Sequence, residues 1–116
     1  MKAVNAALVL AVLLYGVSFA AETQQEQENE AGRATFKKGC VACHGADGAG
    51  TPVGKSLQAP DLRSPEVQKK SDTELTQTVI DGRRNMPPFK TSLNPDQIQA
   101  VIKYVRELGK STTPSH

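Results

Sequence analysis

Two thiols and an imidazole fall within five residues, Cys40-Val41-Ala42-Cys43-His44. Two cysteines three apart with a histidine directly after them are the pattern of covalent haem attachment. Both thiols bond the porphyrin's vinyl groups, and the imidazole binds the iron. Residues three and four apart on a helix share a face, so Cys40, Cys43 and His44 can hold one planar ligand at two edges and at its central metal. Three other chemistries use the same side chains. A disulfide across three helical residues would be tight and strained, more suited to catalysis than to stapling a fold. Zinc requires four ligands, and beyond these three the mature chain has only His116, in a Ser/Thr/Pro tail. A thiol-disulfide enzyme places its pair at the head of a helix after a strand, and no strand pattern precedes Cys40.

An iron bound by His44 has a second face. Apart from Met1, Met86 is the only methionine, and it sits in Met86-Pro87-Pro88-Phe89 between two helical patterns. A methionine in a loop is more often packing than ligand. With a haem attached, a lone thioether in a loop stiffened by two prolines is the expected second axial ligand.

Positioning these groups falls to the elements on either side of them. Residues 1–20 carry Lys2, an apolar run from Ala6 to Val17 and a small-residue exit, Ser18-Phe19-Ala20-Ala21. This is a secretory signal, expected to be cleaved after Ala20, with Ala21 as second choice. The alternative is an uncleaved membrane anchor, since the run approaches the ~17 residues a span needs. Residues 21–28 belong to a solvated acidic, Gln-rich leader with nothing to bury. A helix is expected from Asn29 or Glu30 to Cys43, with Gly45 as its stop. From Gly45 to Ser64, four glycines and two prolines interrupt any period, predicting a loop that wraps a cofactor edge. A short turn at Pro65 to Lys69 comes next, capped by Ser64. Ser71-Asp72-Thr73-Glu74 is a capping box opening a helix that Gly82 ends. The last helix is capped by Asn94, carries Pro95 at its first position and stops at Gly109. Its apolar positions, Ile98, Val101, Ile102, Val105 and Leu108, form one stripe. The class is all-α, with the domain over residues 29–109 and a flexible tail at 110–116.

Export would remove only Lys2 among the charges, leaving 13 basic against 12 acidic residues. That balance predicts no nucleic-acid partner, which would need a concentrated basic patch. The mature chain has no tryptophan and only Phe36, Phe89 and Tyr104 as aromatics. A domain this small gains from a staple, and a buried porphyrin would supply the missing apolar volume.

Taken together, these residues resemble a class I cytochrome c of the short bacterial type. The resemblance rests on Cys40, Cys43 and His44, on Pro60-Asp61-Leu62, on Met86-Pro87-Pro88-Phe89, and on the pairs Gly32/Phe36 and Val101/Tyr104. It covers essentially residues 29–109. It implies a small fold of three to four helices around one covalent haem c, with Gly32 and Phe36 crossing Val101 and Tyr104. It also implies that the Pro60 carbonyl accepts from the ligand His44. The family's large haem-contacting tryptophan has no match, which leaves Arg83, Arg84 and Asn85 as candidate propionate contacts and Lys55 no better placed. The expected function is one-electron transport by an exported, periplasmic monomer that meets redox proteins through an exposed haem edge. It would have no substrate turnover of its own and would touch a membrane only if the signal stays uncleaved. The alternatives are a haem subunit docked permanently in a dehydrogenase or oxidase complex, and a sensor or peroxidase with open iron.

Overall fold

A computed structural model describes the backbone of residues 6–111 and the side chains of residues 21–111. The cleavage site after Ala20 and most of the 110–116 tail therefore lie outside the residues whose side chains are described. Helices α1 (Ala6–Gly39), α2 (Val41–His44), α3 (Pro52–Ser56), α4 (Pro65–Gln68), α5 (Asp72–Asp81) and α6 (Pro95–Lys110) succeed one another in chain order. Among the described residues there is no strand; an isolated bridge pairs Arg83 with Met86. The class is all-α, as expected.

Four boundaries differ from expectation. The leader is exposed as foreseen, but it is helical, and α1 starts well before Asn29. Its Glu, Gln and Ala residues are good helix formers, and propagation from a packed segment costs little once a helix has nucleated. Glu28 also pairs with Lys103 of α6. The expected single helix through Cys43 breaks at Gly39 and Cys40, leaving α2 as a separate turn. Inside the expected loop, Thr51 caps the unforeseen α3 by accepting from the Gly54 amide at 3.0 Å, and Pro52 occupies its first turn. Six helical segments thus replace the three to four expected, the additions being short turns.

The last helix runs through Gly109, its expected stop, to Lys110, while the other N-caps form as the sequence predicts. Ser64 caps α4. Ser71 and Glu74 form a reciprocal box on α5, and Asn94 and Gln97 do the same on α6. Helix α6 buries Ile98, Val101, Ile102, Val105 and Leu108 together with Ala100. Its partner is α1. At their crossing a Cβ on Gly32 would lie 2.2 Å from the Ala100 carbonyl oxygen and 3.0 Å from Tyr104 Cβ, so only glycine lets the two backbones meet. Phe36 and Val101 are each 2% exposed, and the Phe36 and Tyr104 rings pack with centroids 5.2 Å apart. Burying a side chain such as Phe36 contributes about 1.5–3 kcal/mol. One cluster joins Phe36, Val101, Val105 and Leu108, and a second joins Val67, Leu75 and Ile102. Leu62 packs against both.

Candidate cofactor-attachment site

The attachment turn is positioned by the loop on its C-terminal side. Carbonyls of the Cys40–His44 segment accept bonds from that loop: Gly50 N donates to the His44 oxygen at 2.7 Å and Thr51 N to the Cys43 oxygen at 3.0 Å. The Thr51 hydroxyl donates to the Ala42 oxygen at 2.8 Å. Helix α3 then lies so close that a Cβ on Gly54 would sit 1.9 Å from the Cys43 oxygen. The turn's orphan carbonyls are thereby satisfied without a longer helix. Thr51 and Gly54 were not foreseen as site residues, although Thr51-Pro52 carries an ordinary cap signature.

Both cysteines are free and half-buried. Burial pushes the Cys40 thiol up to about 11, which keeps it protonated at neutral pH. The described residues contain no cluster of three or more metal-binding side chains. His44 is half-buried as well, and its burial lowers the ring pKa, favouring the neutral imidazole that binds metals. The carbonyl of exposed Pro60 acts in the opposite direction on the same ring. Nδ1 of His44 is a buried polar atom that no group other than this carbonyl serves as a hydrogen-bond partner.

Met86 is half-buried in the turn between α5 and α6. Arg83 N donates to the Met86 oxygen at 3.1 Å and Met86 N to the Arg83 oxygen at 2.9 Å. Gly82, at φ +72°, makes this turn possible: a Cβ there would be 2.5 Å from the Met86 oxygen and 2.8 Å from Pro88 N. Phe89 N donates to the Val79 oxygen at 2.9 Å, and the Phe89 ring reaches the end of α1 at Gly39. Of the candidate propionate contacts, Asn85 instead donates to the Leu57 oxygen at 3.1 Å, tying the methionine turn to the end of α3. Arg83, Arg84 and Lys55 are exposed.

These residues fit a planar apolar group with a central metal. Ile80, Met86, Phe89 and Leu93 are half-buried and belong to neither buried cluster. The two free thiols, the half-buried imidazole of His44 and the thioether of Met86 are of the types that hold a haem.

Comparison with known proteins agrees. Residues 27–105 match the family described as cytochrome c oxidase, cbb3-type, subunit III. The chain is 32% identical over 108 residues to cytochrome c6 of Gloeothece citriformis, covering 92% of this chain and 94% of that one. It is 36% identical over 89 residues to the cbb3-type cytochrome c oxidase subunit FixP of a Bradyrhizobium species. That match covers 75% of this chain but 30% of FixP. Among solved structures, the KustC0563 c-type cytochrome superposes with a TM-score of 0.64 at 33% identity, covering 66% of this chain and 95% of that one.

Proposed function

Since this chain belongs to the c-type cytochrome family described as cytochrome c oxidase, cbb3-type, subunit III, we propose that it is an exported carrier of single electrons between redox proteins. Haem c is its cofactor and, when bound, supplies one-electron Fe(III)/Fe(II) cycling. In this reading Cys40 and Cys43 hold the haem covalently, and His44 and Met86 bind the iron from its two faces. Met86 offers a soft thioether that favours the reduced state and raises the potential. The Gly82 turn and the prolines hold that thioether nearly still between oxidation states. With both faces taken by side chains, the metal has no open position for substrate, so the protein has no turnover of its own. The observation that carries this reading is the attachment turn, in which two free, half-buried cysteines and a half-buried histidine whose burial favours the neutral imidazole lie within five residues.

Partners meet the protein beside the attachment turn. Val53 and Leu57, at and just past α3, are large apolar side chains left 60% and 41% exposed, and α3 touches the Cys43 backbone. An apolar patch of this size suits the small, transient interfaces of redox encounters. A near-neutral mature chain gives modest long-range steering. The apolar run at 6–17 with its small-residue exit supports export to the periplasm with cleavage after Ala20. Among residues 21–111 no helix is long and apolar enough to cross a membrane. The match to FixP favours a second reading, a haem domain docked in an oxidase complex.

Visible spectra of the protein purified from a haem-attaching, export-competent host test the first reading. Sharp bands on reduction and a weak thioether band on oxidation are expected; absence of haem absorbance overturns it. Sedimentation then separates the two readings, a free monomer for the carrier and a stable complex for the docked subunit.

A further inference from the structure

Gln68, the last residue of α4, joins three parts of the molecule. Its side-chain Nε2 donates to the Leu62 oxygen at 2.7 Å and to the Val105 oxygen of α6 at 3.1 Å. Helix α6 makes room for it: a Cβ on Gly109 would fall 2.4 Å from Gln68 Cδ. From the other side, Arg106 Nη1 donates to the Gln68 backbone oxygen at 2.9 Å. Leu62 is held in turn, its amide donating to the Gly48 oxygen at 2.9 Å, in the loop that leaves the attachment turn. The segment Pro60-Asp61-Leu62 is therefore clamped at Leu62 between that loop and the last helix. Two residues before the clamp stands Pro60, the backbone neighbour of the His44 ring, whose buried Nδ1 has no other partner.

We propose that Gln68 is a positioning residue: by pinning Leu62 to α6 it holds the Pro60 carbonyl at His44 Nδ1, and so sets the orientation and donor strength of the iron-binding imidazole. This rests on the reading that His44 binds haem iron, and it adds a residue that never touches the cofactor. An acceptor at the far nitrogen of a metal-bound histidine raises the ring's basicity and stabilises the higher oxidation state. Loosening the strap should therefore favour the reduced state. Neither an apolar side chain nor a carboxylate at position 68 can donate to two carbonyls at once.

The test uses the holoprotein with Gln68→Met, which keeps length and loses both donors, and Gln68→Glu, which keeps the shape. Val67→Ala, a cavity in the same short helix that leaves the clamp intact, reports the purely structural effect. Both Gln68 variants should shift the Fe(III)/Fe(II) equilibrium three- to tenfold toward the reduced form, or about 30–60 mV at 59 mV per decade. In the reduced state the His44 Nδ1 proton should exchange with solvent several-fold faster by NMR. Val67→Ala should lower Tm and change neither quantity. If the Gln68 variants also lose only stability, with potential and proton exchange as in the wild type, the inference is wrong. Whichever of the two variants folds decides the matter. Failure of the ligation reading itself would appear earlier, in the wild-type spectrum.

Discussion

The α1–α6 crossing and the turn around Met86 are built by opposite means. At the crossing two backbones meet through Gly32, and Phe36 and Val101 vanish from solvent against each other's helices. Around Met86 nothing is fully buried; the turn is held by backbone bonds to Arg83, Val79 and Ile80 and by the Asn85 amide on Leu57. Polypeptide alone completes the first region. The second is shaped mainly by backbone bonds around side chains that are only half-buried, so the two should fail differently when damaged.

The largest effect is expected at the crossing. Gly32→Val places side-chain carbon against the Ala100 carbonyl, a backbone atom that cannot swing away. A loss of ~4 kcal/mol or more is expected, a large share of the ~5–15 kcal/mol that stabilises a domain. Thermal melts by circular dichroism should show it, together with a collapse in holoprotein yield. A variant that melts like the wild type would break the comparison at its firmer end. In contrast, Met86→Ala should leave helix content intact while the oxidised protein loses its thioether band. The potential should fall on the order of 100 mV, within the ~0.8 V that axial ligands span. An unchanged potential would show that Met86 is packing and that the turn serves some other purpose.

Legibility in the sequence divides along the same line. Caps and attachment motif are local signals: Ser71 reaches Glu74, Asn94 reaches Gln97, and the cysteines lie three residues from one another; the crossing of Gly32 and Phe36 with Val101 and Tyr104 was implied by the family resemblance alone. Thr51, Gly54 and Gln68 escaped because their roles depend on what comes near in space. Thr51 meets carbonyls eight and nine residues away, and Gln68 meets one 37 residues away. The helical leader was missed for a different reason. Its polar composition says that it buries nothing, which is so, but says little about whether a neighbouring helix will extend through it.

A smaller loss tests where the geometry of the methionine turn is set. Ser71→Ala removes one arm of the capping box at the start of α5, ten residues before the turn begins, and should cost ~1 kcal/mol. The thioether band should stay where it is, because the turn is shaped at Gly82 and not at the helix's opening. A band that shifts with this cap would mean that α5 acts as a lever on Met86, and the two regions would be less separate than their packing suggests.

The smallest effect belongs to the strap before α4, on the unfinished side. Hydrogen bonds from the Arg63 side chain and amide hold the Asp61 carboxyl below its ordinary value near 3.8. The folded chain therefore binds that proton less readily than the unfolded one. The contribution is fully present above the ordinary value and is lost as pH falls through the lower folded one. Both groups are substantially exposed, so the gain is small and screened by salt. Protonation should loosen the Arg63 amide, which donates to Asp61 Oδ1 at 2.9 Å, and leave the amide of Val101 in the crossing protected. Arg63→Gln should raise the Asp61 pKa toward 3.8 and move the loosening to higher pH, measurable by NMR titration and amide exchange between pH 5 and 2. Should Val101 open in step with Arg63, the strap and the crossing would be one cooperative unit, and the division between a finished and an unfinished side would not hold.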